Sequence, residues 1–418
     1  MSVSLSRPRL LAITASSRTV SLARVGDSIL SAVAEDMDIH QLAIGYDGDP
    51  HTVPWAMYPA ARPGDNYGYS RLIPLIKQLK PDLIFYMLGP IMLLGFLQRL
   101  AQDDSVTSPP SLAYVPVDGY PVNRELVTLL PQLTRLVLCT EFSEKIVRDS
   151  ARLWSRSDEP LTLPPIEVIP HALDSSVFYP LRNTDGTGVT DRRALRQKHW
   201  PRQPGLEDAF IVLNANRNQP RKRIDITVKG FAEFARNKTD AYLCLHMGLK
   251  DKGWDLPGLV RFYGIEDLVI LATETAGPPA VTDERLNILY NLCDVGINTS
   301  YAEGWGLVSF EHAATGAAQL VPGFGNCEAL WQGYADLLPV RLSLYDERLN
   351  MEQKLIASRD VADALEQLYQ DRDYLASQST RALQRVGDPI LSPAHLRQRW
   401  RTEFHRMLTL SPAADPHG

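Results

Sequence analysis

Four cysteines are all that 418 residues contain: Cys139, Cys244, Cys293 and Cys327. None stands at metal-ligand spacing from another, and three lie among apolar neighbours. That excludes a disulfide framework and a cysteine-held metal, and leaves reduced core thiols in a cytoplasmic protein. Long hydrophobic runs are lacking too. The longest uncharged stretch, Leu83 to Leu97, contains Gly89-Pro90 and falls short of the roughly 20 residues a spanning helix needs. It reads as a buried strand, a turn and a helix start, with a peripheral membrane contact left open. The run Leu10-Leu11-Ala12-Ile13 behind Arg7 and Arg9 is too short for a signal-peptide core and reads as a first strand. Positive charge is not in excess: 43 Lys and Arg face 49 Asp and Glu, a net charge of −6. A nucleic-acid partner would call for a basic face, so that class is disfavoured, although a local basic cleft fits the same balance. No repeat, coiled coil or low-complexity tract is present.

What remains is an ordinary soluble composition, 44% hydrophobic and 22% charged, long enough for about two or three domains. The pattern alternates strand and helix, which predicts parallel α/β layers. Strands are expected at 10–14, 41–45, 83–87, 112–117, 135–140 and 166–170, and helices over 27–35, 69–79, 91–102 and 143–154. A polar stretch over 181–204 then interrupts the pattern, which restarts with strands at 210–214, 242–247 and 268–272, helices over 223–237 and 284–292, and a long last helix over 395–412. Two doubly wound halves result, 1–176 and 177–394, each expected to offer the carboxyl ends of its strands to a ligand in the cleft between them.

Glu303 and Glu311 are the most telling residues. They lie in Ser300-Tyr301-Ala302-Glu303-Gly304-Trp305-Gly306-Leu307-Val308-Ser309-Phe310-Glu311, behind a short apolar strand and at the opening of a helix with Gly316 as its expected stop. Gly304 and Gly306 permit a tight turn and close backbone approach. A helix start attracts anions, so two carboxylates there are out of place unless they accept from hydroxyls. A sugar nucleotide offers both partners, a diphosphate for the helix and hydroxyl-rich rings for the acids. The plainer reading, solvated acids on a strand–helix connection, fits poorly because Glu311 lies inside an apolar helix.

A second cluster, Asn214-Ala215-Asn216-Arg217-Asn218-Gln219-Pro220-Arg221-Lys222-Arg223, follows a strand and opens a helix. Arg217 and Lys222 are cations where the helix dipole disfavours them, which makes sense if an anion binds. A solvated basic turn is the alternative. A third, Tyr114-Val115-Pro116-Val117-Asp118-Gly119-Tyr120-Pro121, puts Asp118 after a strand of the first half, either as a carboxylate contacting substrate or as a turn residue capping its own backbone.

Arg217 and Lys222, five apart, resemble the diphosphate-binding pair of family 4 glycosyltransferases (glycosyl transferases group 1). Glu303 and Glu311, with seven residues between them, resemble that family's signature. Val168-Ile169-Pro170-His171-Ala172-Leu173-Asp174 resembles its interdomain hinge, with Ala172 where glycine is usual. The resemblance is strongest from Ile166 to Glu328. It implies a GT-B fold, two facing Rossmann-like domains, with the last helix crossing back onto the first. It also implies a retaining hexosyltransferase that needs neither cofactor nor metal. A UDP- or GDP-sugar would be the donor and a hydroxyl group, on a sugar, lipid-linked glycan or other molecule, the acceptor. Carried over, Glu311 accepts from the ribose, Glu303 from the donor sugar, and Gly306 and Leu307 present N–H groups to the phosphates, with Gly304 and Trp305 beside them. The lack of an Asp-x-Asp motif in a suitable loop agrees with metal independence. One departure is the first loop, Thr14-Ala15-Ser16-Ser17-Arg18, which lacks the family's paired glycines; Ser16, Ser17 and Arg18 are the candidates to replace them. Cytoplasmic location, with contact at the inner membrane face left open, goes with this reading. A nucleic-acid-modifying enzyme and a non-catalytic sugar-nucleotide-binding subunit are the alternatives.

Overall fold

Leu10, Leu11, Ala12 and Ile13 are all fully buried, which is what a strand covered on both faces requires. The same holds for Leu83–Met87 and Ser111–Val115. These runs cannot alternate apolar and polar residues, because helices cover both sides of a parallel sheet. The structure, a computed structural model, describes residues 7–16, 21–156, 160–183, 188–201 and 205–410. It divides into two compact units. The first takes the chain up to Ala172, Glu347–Met351 and the segment from Pro393; the second takes Leu173–Asp346 and Glu352–Ser392.

The first unit holds seven parallel strands: β1 (Arg9–Ala15), β2 (Asp38–Ile44), β3 (Ala56–Pro59), β4 (Leu83–Met87), β5 (Ser111–Val115), β6 (Arg135–Leu138) and β7 (Ile166–Val168), in the order β3-β2-β1-β4-β5-β6-β7. The order reverses between β1 and β4, the place where such sheets leave a crevice at their carboxyl ends. The last helix, Pro393–Leu410, belongs to this unit. Trp400 packs its ring 4.9 Å from Tyr114 and 5.9 Å from Phe85, and Phe404 lies 5.1 Å from Phe85. Arg135 reaches the buried Glu403, and Arg401 reaches Asp36 at 2.9 Å.

The second unit holds β8 (Phe210–Asn214), β9 (Ala241–Leu245), β10 (Val269–Leu271), β11 (Val295–Ile297), β12 (Ala318–Pro322) and β13 (Asp336–Leu338), parallel in the order β10-β9-β8-β11-β12-β13. A separate two-stranded sheet pairs β14 (Val340–Asp346) with β15 (Met351–Ile356). Here the order reverses between β8 and β11. Phe210, Val212, Phe231, Leu243, Leu320 and Leu365 lie in one continuous core beneath it. Among the described residues, no helix is long and apolar enough to cross a membrane.

Several element boundaries differ from the sequence expectation. The first helix is Ser21–Ser31, with Gly26 inside it and not ahead of it; an isolated glycine within a helix is tolerated. The helix expected to open at Ser143 is Glu141–Trp154, because Thr140 is its N-cap and accepts from the Ser143 N–H at 2.9 Å. The strand expected through Thr140 therefore stops at Leu138. The helix after Glu303 is Leu307–Ala313 and ends short of Gly316, whose φ of +80° belongs to the following turn. Strands β3, β12, β13, β14 and β15 are not among the expected ones; β12 is fully buried, whereas the other four are short or exposed and leave little periodic signal.

Candidate functional site

The segments that follow β8 and β11 meet at the reversal point of the second sheet, so their side chains share one crevice by topology. After β8, Asn214 folds the chain back on itself: its carboxamide oxygen accepts the Asn216 N–H at 3.0 Å, and its Nδ2 donates to the Thr227 hydroxyl at 3.0 Å. Pro220–Lys222 then forms one turn of 3-10 helix, and Arg223 takes a left-handed φ of +46° before helix Ile224–Ala235 begins. After β11, the Thr299 hydroxyl sits 3.0 and 2.9 Å from the carbonyl oxygens of Lys222 and Arg223 and 2.8 Å from the Thr227 hydroxyl. The Tyr301 N–H donates to the Arg221 carbonyl at 3.0 Å. The two segments are thereby sewn together, which holds Lys222 against Glu303.

Glu303 is the centre of this arrangement. Lys222 donates to its Oε2, and Arg221 lies 3.3 Å from its Oε1. Asn298 Nδ2 and the Ser300 hydroxyl each lie 3.4 Å from Oε2, at the outer limit of hydrogen bonding. Asn326 donates to the Glu303 carbonyl at 2.9 Å. The side chains of Glu303 and Lys222 are each only 10% exposed. Burial would raise the Glu303 carboxyl, but the Lys222 and Arg221 cations outweigh it and hold the acid down at about 2. Burial pulls the Lys222 ammonium below its usual value, with Glu303 opposing and Arg221 adding to the depression. Glu303 is thus a carboxylate that accepts hydrogen bonds at neutral pH and cannot serve as a proton donor there.

Of the two glycines, Gly306 carries the special conformation: φ is +85° and it is the N-cap of helix Leu307–Ala313. A Cβ built on it would sit 3.5 Å from the Glu303 Cγ, so the objection to a side chain is the backbone angle and not space. The first N–H groups of this helix, at Leu307 and Val308, have no acceptor within it. Trp305 is 4% exposed and stacks on Phe310 at 5.0 Å, which in turn packs on Trp331 at 4.6 Å. It fastens the loop to the core. Glu311 is 4% exposed, and its Oε2 accepts from the Tyr290 hydroxyl at 3.0 Å.

Not every expected residue stands as expected. Lys222 is buried, so the solvated-turn reading fails for it. Arg217 is not an open phosphate fork: its Nε and Nη2 are held by Asp251 at 2.6 and 3.2 Å. The cation that joins Lys222 at Glu303 is Arg221 instead. Asp118 and Ser16 belong to the other unit. Asp118 is half-buried beyond the carboxyl end of β5, and Ser16 follows β1, its N–H donating to Ile44 O and its hydroxyl accepting from Gln41, both at 2.8 Å. Ser17 and Arg18 lie outside the described residues. His171 is buried with its Nδ1 2.8 Å from the Tyr114 hydroxyl, and burial pulls its imidazole down to about 3. It is a neutral structural group. Among the described residues, no group of three or more His, Cys, Asp or Glu side chains is placed to hold a metal ion.

No family model and no curated protein match this chain. Solved structures do resemble it. Sucrose-phosphate synthase from Thermosynechococcus elongatus aligns at a TM-score of 0.70 and 15% identity, over 97% of this chain and all of that one. HepE of Anabaena, solved in complex with UDP-glucose, aligns at 0.67 and 14% identity, over 95% of this chain and 99% of that one. WaaG, described as a glycosyltransferase involved in lipopolysaccharide biosynthesis, aligns at 0.67 and 10% identity, over 94% and 99%. At these identities the likeness establishes the fold, two Rossmann-like α/β units as in the GT-B glycosyltransferases.

Proposed function

We propose that this chain is a retaining glycosyltransferase. It moves a hexosyl unit from a nucleoside diphosphate sugar, a UDP- or GDP-sugar, to an acceptor hydroxyl in the making of a glycan, glycolipid or other glycoconjugate. One observation carries the reading: an ionised, nearly buried Glu303 held by Lys222 and Arg221 where β8 and β11 diverge, with the N–H groups of Leu307 and Val308, which have no acceptor within their helix, close by in sequence and Glu311 buried one helix turn further on. Cations and N–H groups suit a diphosphate; the ionised Glu303 and the buried carboxyl group of Glu311 suit hydroxyls. The UDP-glucose named for the HepE structure supports a nucleotide sugar as donor.

In this reading the Leu173–Asp346 unit takes the donor and the other unit takes the acceptor, with Asp118 assigned to a hydroxyl of the donor sugar or the acceptor and Ser16 to the donor phosphate. Glu311 accepts from the ribose hydroxyls and Glu303 from those of the donor sugar. Lys222 and Arg221 shift part of their interaction from Glu303 to the diphosphate, and so stabilise the negative charge that grows on it without recourse to a metal. The bond from the anomeric carbon to the diphosphate oxygen breaks, the bond to the acceptor oxygen forms on the same face, and the acceptor proton passes to the departing diphosphate oxygen. No protein nucleophile is required. Arg217, steadied by Asp251, adds a further positive group. The protein would act in the cytoplasm, with any membrane contact peripheral.

The test is to incubate the protein with UDP- and GDP-sugars and a panel of hydroxyl acceptors, and to read the anomeric configuration of donor and product by NMR. Retention is expected, with Lys222→Ala and Arg217→Ala lowering kcat and Glu311→Ala raising the donor KM. Inverted product, or the absence of turnover and of hydrolysis with every donor, would overturn the proposal.

A further inference from the structure

Glu311 lies on helix Leu307–Ala313. One partner of its carboxyl group comes from another element. Tyr290 sits in the last turn of helix Asp283–Asn291, 1% exposed, and its hydroxyl donates to the Glu311 Oε2 at 3.0 Å. The Tyr290 ring is held from two sides, 5.6 Å from Phe178 and 5.5 Å from His312. Its helix is held as well. Asn287 and Asn291, both buried, grip the backbone of the segment 179–181: Asn287 Oδ1 accepts the Tyr179 N–H at 3.2 Å, Asn291 Oδ1 accepts the Leu181 N–H at 2.9 Å, and Asn291 Nδ2 donates to Tyr179 O at 3.0 Å. His312, the other flank, has its imidazole pulled down to about 3 by burial, so it stays neutral and brings no competing charge to the carboxylate.

A buried carboxylate needs hydrogen bonds to remain charged, and a recognition site needs its polar groups held in one rotamer by a supporting layer. Tyr290 contributes to both. We infer that Tyr290 is a positioning residue for nucleoside recognition: by fixing one oxygen of Glu311 it orients the carboxylate toward the ribose 2′- and 3′-hydroxyls, and so sets the preference of this site for ribonucleotide over deoxyribonucleotide donors. The inference rests on the proposed reading of Glu311 as the ribose acceptor. It assigns to a neighbouring helix a share of substrate selectivity that the glutamate alone does not account for.

Titration calorimetry of the whole protein with UDP and GDP, each beside its 2′-deoxy counterpart, tests it. The wild type should prefer the ribonucleotide. Tyr290→Phe keeps the ring between Phe178 and His312 and removes only the hydroxyl. It should weaken ribonucleotide binding about tenfold, the scale of one hydrogen bond to a charged group, and leave the deoxynucleotide much less affected, so the preference shrinks. Glu311→Gln should abolish the preference, and the double variant should bind no worse than Glu311→Gln, because coupled groups are not additive. A purely structural role predicts a lower melting temperature with the preference intact in Tyr290→Phe; that result, with the preference lost in Glu311→Gln, overturns the inference and leaves the ribose reading standing. A wild type without any preference overturns the ribose reading itself, and this inference with it. Should Tyr290→Phe melt too early to titrate, the comparison of Glu311→Gln with the double variant decides: equal binding supports the inference, and further weakening by the second change overturns it.

Discussion

Lys222 and Glu303 form an ion pair that neither residue could sustain buried alone. Removing one partner of such a pair costs about 3–5 kcal/mol, while replacing both by apolar groups is often near neutral. Lys222→Met should therefore destabilise the protein by an amount on that order, reduced to the extent that Arg221 compensates, and Lys222→Met with Glu303→Leu should recover much of it; urea denaturation of the variants measures both. The Glu303 carboxyl also predicts a pH dependence. Its folded-state value of about 2 lies below the usual 4.5, so the stability it contributes is present above the usual value and is lost as pH falls through about 2. Glu303→Gln should accordingly flatten the fall in urea midpoint between about pH 5 and pH 3, other carboxylates accounting for what remains. At this scale the sequence is partly readable. Glycines, a preceding strand and a following helix single out Glu303 and Glu311. Arg221 escapes notice, because which side chain of Arg221-Lys222-Arg223 faces Glu303 depends on a 3-10 turn and a left-handed Arg223 that no local signal announces. Asp251, Asn326 and Tyr290 escape because their relation to the site exists only after folding.

At the scale of elements, local chemistry explains most boundaries and identifies where they can be broken. Thr140 caps helix Glu141–Trp154 with its side chain. Thr140→Ala should cost about 1 kcal/mol, seen as a lower thermal midpoint, whereas Ser143 is the third residue of the helix and not its cap. Gly306 is held at φ +85° with room for a methyl group. Gly306→Ala should thus cost about 1–2 kcal/mol through the backbone alone. It should weaken nucleotide binding more than Thr140→Ala does, because the turn it strains carries the N–H groups of Leu307 and Val308. The buried parallel strands β1, β4, β5 and β8 are legible as apolar runs, and several helices by their spacing, but the parallel strands β3, β12 and β13 are not. β14 was not, because its side chains Leu342, Leu344 and Tyr345 are exposed and give no buried-strand pattern.

At the scale of the molecule, two sheets each reverse their strand order once, and chemistry collects at the reversal in the second. The fold places Glu303, Lys222 and Arg221 together although more than eighty positions separate the cations from the acid. The first unit is closed by the last helix of the chain, whose Trp400 and Phe404 rings cover Phe85. Trp400→Ala should cost about 3–5 kcal/mol and lower the thermal midpoint while leaving the affinity of the second unit for nucleotide unchanged. The alternation of elements, the existence of two halves and the burial of the final helix face could be read from periodicity; the strand orders could not, since they are set by how the layers pack.

Glu303, Lys222, Arg221 and Glu311 are proposed to form a nucleotide-sugar site. Titration calorimetry of UDP- and GDP-sugars against the wild type, Lys222→Met and Glu311→Gln tests it most directly. Saturable binding by the wild type to at least one of these donors is expected, with a loss of about tenfold or more in each variant. Equal affinity in all three proteins, or no binding of any donor by the wild type, would contradict it.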